Sequence, residues 1–145
     1  MATEIRTMTR ADAPGVLEMM RVFYASPAVL SNGSEEIFQN DVAECVSGSP
    51  YLEGYVFEEN GQLQGYAMVA KSFSTEFGKR CIWIEDLYVK PDFRGLGLRG
   101  AFLRHIQTVY PGALFRLEAE QENEGAVRLY EKMGFEELPY LELKK

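Results

Sequence analysis

Gly95-Leu96-Gly97-Leu98-Arg99-Gly100 sets three glycines at G-x-G-x-x-G spacing directly ahead of a helically periodic apolar segment, with Arg94 immediately before it. A loop of small residues that opens a helix offers unpaired backbone N–H groups and a partial positive charge, which suits a phosphate or diphosphate. Upstream, Glu85 and Asp86 interrupt an otherwise apolar run from Cys81 to Val89. On a strand, neighbours point to opposite faces, so alternation sends one of the two carboxylates toward the core or a cleft, where it is costly unless used. A carboxylate so placed can act as a general base. Glu85 is the candidate base, and pairing of Glu85 or Asp86 with a neighbouring Arg or Lys is the alternative. Metal and triad chemistry are poorly supplied: Cys45 and Cys81 lack ligand spacing and His105 is the only histidine. No metal, zinc cluster or Ser-His-Asp triad is therefore expected.

The loop has three readings. Glu120 lies twenty residues beyond Gly100, as a nicotinamide-dinucleotide fingerprint asks, but Lys90 to Arg94 separate strand from glycines and too few residues remain for a second mononucleotide half. A plain strand-to-helix turn is the second reading. The third keeps the physics and changes the ligand to coenzyme A, which also carries a diphosphate.

These residues need a scaffold. Glu4 to Met8 alternates like a strand, and Thr9-x-x-Asp12 resembles a capping box opening a helix that carries Val16, Leu17, Met20, Phe23 and Tyr24. A second helix is expected after Ser34, with Phe38, Val42, Cys45 and Val46 on one side until Gly48 and Pro50. Tyr55-Val56-Phe57 and Leu63 to Phe73, joined across Asn60-Gly61, read as a hairpin. Cys81 to Val89 is the next strand, and after the glycine loop a helix carries Leu98, Phe102, Ile106 and Val109. Ala113 to Leu117 is a strand, Asn123 caps a short helix, and a final strand pair is expected around Pro139. The order βααβββαβαββ describes an α/β (α+β) fold: a mixed, mostly antiparallel twisted sheet flanked by about four helices.

At 145 residues, with 46% hydrophobic and 26% charged residues, the chain is expected to form one globular domain over 1–145. Fifteen Lys and Arg against 22 Asp and Glu leave a net charge of −7. That field disfavours nucleic acid and anionic membrane surfaces and favours cationic or neutral partners. The run Tyr66 to Ala70 is far too short to span a bilayer, and the segment starting at Met1 lacks a basic-then-apolar export signal, so a cytoplasmic protein is expected.

Arg94-Gly95-Leu96-Gly97 resembles the R-x-x-G-x-[GA] signature of the GNAT superfamily of N-acetyltransferases. Asn123 through Phe135 is similar to that family's N-x-x-A-x-x-[LF]-Y-x-x-x-G-F block without a gap. One position departs: Arg99 stands where the family has Gly or Ala, and its side chain either crowds the phosphates or turns outward to pair with one. The resemblance implies acetyl-CoA as co-substrate, with Arg94, Gly95, Leu96, Gly97, Leu98, Arg99 and Gly100 at its phosphates. It implies main-chain contacts from Leu87, Tyr88 and Val89, and Asn123 facing the pantetheine. Tyr130 stands where the family has its general acid. A phenol of pKa ~10 is a weaker acid than a thiol of ~8.5, so a hydrogen bond that strengthens as sulfur becomes anionic is the role expected of it. The reaction implied is direct attack by a primary amine in a ternary complex, with Glu85 and Tyr24 on the acceptor side. Ile84-Glu85-Asp86-Leu87 is similar to the corresponding segment of diamine (spermidine/spermine) acetyltransferases. A small-molecule amine is the expected partner, dimerisation is common in the family, and a non-catalytic acyl-CoA sensor is the rival reading.

Overall fold

The asymmetric placement of apolar residues along the chain produces a sheet with a helical pair on each face. A computed structural model describes residues 2–29 and 33–145. Strand β1 (Glu4–Thr7) is followed by helices α1 (Ala13–Tyr24) and α2 (Glu35–Val46), strands β2 (Leu52–Glu59), β3 (Gln62–Ser74) and β4 (Lys79–Val89), helix α3 (Leu98–Val109), strand β5 (Leu114–Leu117) and helix α4 (Glu124–Lys132). The sheet order is β1-β2-β3-β4-β5. Neighbours are antiparallel as far as β4, and β5 joins β4 in parallel after the α3 crossover. No helix among the described residues is long and apolar enough to cross a membrane.

Two cores follow from the alternation of side chains across the sheet. On one face Val16, Met19 and Met20 of α1 and Phe38 and Val42 of α2 pack on Val56, Tyr66, Met68 and Tyr88. On the other, Phe102, Leu103 and Ile106 of α3 cover Phe57, Val69, Ile82, Ile84, Leu87 and Val89, with Tyr130 and Met133 of α4 at the margin.

Local chemistry sets the element ends. The β2–β3 turn places Asn60 at φ 52° and Gly61 at φ 79°, the two left-handed residues that a type I′ hairpin requires. Asp12 accepts from the Thr9 N–H at 2.8 Å and from the Arg6 guanidinium at 2.8 Å. This knot tightens the chain into a short 3-10 turn, Arg10–Asp12, ahead of α1. Ser34 caps α2 through Ile37 N–H, as its residue type predicts. The final strand pair expected around Pro139 is not formed: no strand follows α4. Pro139 lacks a ladder donor, and three glutamates, Glu136, Glu137 and Glu142, lie within those residues.

Candidate active site

Strand β4 carries both halves of the site. Its β3 side is paired from end to end, whereas β5 reaches only from Cys81 to Ile84. From Glu85 to Val89 the other edge has no strand beside it, so Leu87, Tyr88 and Val89 lie where main-chain groups are open to a ligand. At the end of this stretch Val89 O accepts from Arg94 Nε at 2.9 Å, and the Arg94 guanidinium lies 5.8 Å from the Tyr88 ring centre.

The chain then enters the glycine loop. Gly95 and Gly97 each take φ 79°. A Cβ at either would meet nothing within 4 Å, so the glycines serve backbone conformation and not space. Gly97 caps α3, leaving the first-turn N–H groups of that helix without intrahelical acceptors. Beside them is a cavity of about 380 Å³ whose lining includes Val89, Gly97, Arg94, Arg99, Arg104 and Lys132. Four cations meet here in a protein of net charge −7. Arg99, the departure from the family signature, is part of this wall. The small residue sits one step later: Gly100 is buried, and a Cβ there would come within 3.4 Å of the Arg104 guanidinium. Sequence reading missed Arg104 and Lys132. Arg104 lies one helical turn beyond Gly100, a spacing that puts both on one face; Lys132 arrives from α4 and left no such signal.

Tyr130 closes the arrangement from α4, its ring 6.0 Å from that of Phe135. Burial pushes its phenol up, and the charge of Arg99 pulls it down. Asn123 Oδ1 accepts from the Ala126 N–H at 3.4 Å and caps α4.

On the other side of β4 the carboxylates are arranged by a bulge. Met68 faces Asp86 and Val69 faces Ile84, so Glu85 is the extra residue. Strict alternation across Glu85 and Asp86 therefore fails: the bulge resets the phase, Ile84 and Leu87 both enter the α3 core, and Asp86 turns to the α1 face. Asp86 is 5% exposed. Its partners are phenols and not the Arg or Lys considered from sequence: Tyr24 donates to Oδ1 at 2.9 Å and Tyr66 to Oδ2 at 2.7 Å. Tyr24, at the end of α1, is thus held beside β4 through Asp86. Glu85 itself is exposed.

Like charge and burial act together here. Although Glu85 as a whole is exposed, packing around its carboxyl partly desolvates it, and this, then the charges of Asp86 and Glu142, pushes the carboxyl up. Burial raises Asp86 against the lowering effect of its two tyrosine bonds. Burial, Asp86 and Glu85 push Asp41 of α2 up to about 6, and sequence reading missed it. Because Asp41 ionises less readily folded than unfolded, its contribution to stability is whole below pH 3.8 and is lost as pH rises to about 6. Asp41→Asn is accordingly expected to gain stability over the parent across that window and to hold a constant margin above it, on the order of 1 kcal/mol after solvent screening. Paired denaturation curves between pH 4 and 8 check this; a margin that does not vary with pH contradicts it.

His105 lies 6.0 Å from the Tyr55 ring, a boundary position. Cys81 is buried and burial pushes the Cys45 thiol up, so neither is poised as a nucleophile.

A parallel crossover helix with a cationic N-terminal cavity thus stands beside β4, whose far edge is open from Glu85 onward. The chain belongs to the acetyltransferase (GNAT) family, matched over residues 17–135, and is an N-acetyltransferase. It is 29% identical to the thialysine N-epsilon-acetyltransferase of Sus scrofa over 92% of this chain and 84% of that protein. The Mus musculus protein of the same name is 26% identical over 94% and 86%. In fold it is similar to a possible acetyltransferase from Clostridium difficile 630 (TM-score 0.85, 17% identity, 100% and 97% covered). It is also similar to the aminoglycoside N-acetyltransferase AAC(6')-Iy in complex with CoA (TM-score 0.81, 15% identity, 99% and 93% covered).

Proposed function

We propose that the protein transfers the acetyl group of acetyl-CoA to the primary amine of a small molecule by direct attack in a ternary complex. The observation that carries this is the cationic cavity at the start of α3, which opens onto the unpaired end of β4 with Tyr130 nearby. Its residues fit coenzyme A: the amides of Gly97 to Gly100 and the cations Arg94, Arg99, Arg104 and Lys132 suit the phosphates, and the free edge at Leu87, Tyr88 and Val89 suits a pantetheine arm lying as a strand would. Arg99 pairs with a phosphate in this reading and does not block it. Asn123 caps its helix and borders the arm. When bound, the cofactor supplies an acetyl thioester.

The remaining chemistry belongs to the chain. Glu85, raised by burial and like charge, takes a proton from the incoming ammonium through a water. The Leu87 N–H donates to the carbonyl oxygen as charge gathers there. The amine nitrogen would bond to the acyl carbon as the carbon–sulfur bond breaks, its second proton passing to the departing thiolate, whose charge the Tyr130 hydroxyl would meet by a hydrogen bond. Asp41, Glu85 and Asp86 make the acceptor side negative, which suits a cationic amine. The thialysine N-epsilon-acetyltransferases to which the chain is similar support an amine on a flexible aliphatic arm.

The test has two parts. At a hundredfold excess over its dissociation constant acetyl-CoA is expected to add about 2.7 kcal/mol of stability while NAD adds nothing. Thiol release from acetyl-CoA should then depend on added amine, across lysine, thialysine, cadaverine, spermidine and an aminoglycoside. Stabilisation by NAD, or thiol release indifferent to every amine, refutes the reading.

A further inference from the structure

The cavity at the start of α3 gathers more positive charge than a diphosphate alone calls for. Arg94, Arg99, Arg104 and Lys132 line it, and among the described residues no acidic side chain does. None of the four forms an ion pair among those residues, although the chain as a whole carries −7. Like charges collected without an acid repel one another, so the arrangement costs stability until an anion arrives.

The four cations divide by position. Arg94 is committed to the end of β4, where its Nε donates to Val89 O at 2.9 Å and its guanidinium lies 5.8 Å from the Tyr88 ring centre. Arg99 stands in the first turn of α3, beside the unpaired amides that suit a diphosphate. Arg104 is four residues past Gly100, about 6 Å along the helix axis. A Cβ at Gly100 would lie 3.4 Å from Arg104 Nη1 and 3.9 Å from Met133 Sδ. The guanidinium thus reaches back to Gly100, as long helical side chains lean toward the N-terminus, and meets the end of α4 there. Lys132 is the last residue of that helix, next to Met133. One turn earlier Arg128 is paired with Glu124 at 3.8 Å, whereas Lys132 lines the cavity.

Two helices therefore bring a guanidinium and an ammonium to one wall, a turn away from the loop amides. A diphosphate is met by those amides, the helix N-terminus and Arg99. A further cationic pair suits a further anion on the same ligand. Coenzyme A has one in the phosphomonoester on its ribose 3′ carbon, a group that carries about −1.5 to −2 near neutral pH.

We infer that Arg104 and Lys132 receive the 3′-phosphate of coenzyme A and select coenzyme A over its dephospho form. NAD and dephospho-coenzyme A both hold the diphosphate and lack the monoester. The inference rests on coenzyme A as the cofactor and narrows that reading to the 3′-phosphorylated molecule.

Calorimetric titration of the full chain with coenzyme A and with dephospho-coenzyme A tests this by binding alone. Coenzyme A is expected to bind about 10- to 100-fold tighter, each exposed charge-assisted contact contributing about 3- to 10-fold. Arg104→Gln and Lys132→Gln should each weaken coenzyme A by about 3- to 10-fold and dephospho-coenzyme A by less than about twofold. The double variant should bind the two forms alike. Arg104→Lys, which keeps the charge and loses the fork, should retain part of the preference. Both side chains are exposed, so the variants are expected to keep the Tm of the parent. Equal parent affinities for the two forms, or a loss in the Gln variants shared equally by both, overturns the inference and leaves coenzyme A as the cofactor. Binding of neither form overturns it together with the acetyl-CoA reading.

Discussion

Tyr130→Phe is expected to lower kcat by between 10- and 10⁴-fold while moving Tm by no more than about 4 °C. The asymmetry follows from where the hydroxyl lies. The ring packs on Phe135 and at the margin of the α3 core, and phenylalanine preserves that packing. Two opposed influences act on the hydroxyl's ionisation: burial pushes its pKa up and the charge of Arg99 pulls it down. Among the described residues the hydroxyl has no hydrogen-bond partner, so removing the oxygen orphans none of them. On the proposed mechanism, what is lost is the donor that meets the departing sulfur. A variant with unchanged kcat takes Tyr130 out of the reaction, and a large drop in Tm would mean the phenol serves the fold.

Asp86→Ala is expected to destabilise the protein by about 2–5 kcal/mol and to lower Tm by roughly 5–20 °C. The carboxylate is 5% exposed and receives both phenols, so its removal leaves two half-buried or buried donors unmatched beside a new void. Asp86→Asn keeps one acceptor oxygen and nearly the same volume and should cost about 1 kcal/mol. Equal losses for the two variants would show that the negative charge, and not the pair of hydrogen bonds, holds this part of the site. Thermal denaturation of both at one pH gives the answer.

The hairpin at Asn60-Gly61, the helix caps at Ser34 and Asn123, and the positive-φ glycines of the loop were legible because each depends on its own residue and a few neighbours. Long apolar periodicities located all four helices and the first five strands for the same reason. The last expected strands failed where pairing had to be supplied by distant chain: Leu141 and Leu143 are 84% and 87% exposed, since local alternation alone does not hold a strand without ladder partners.

The acceptor side shows the same division. Glu85 and Asp86 were visible as acids on an apolar strand, yet a bulge fixed by the register against Met68 and Val69 chose which was buried. Tyr66, Asp41 and Lys132 left no motif, because each comes from a different element and only packing brings it to the site. Residue types and short spacings thus determined the family, and they located the glycine loop and the Tyr130 phenol in the chain. Only the tertiary structure decided which carboxylate enters the core and where cations collect, since a one-residue slip in strand pairing reverses every side chain beyond it and no local preference records that slip.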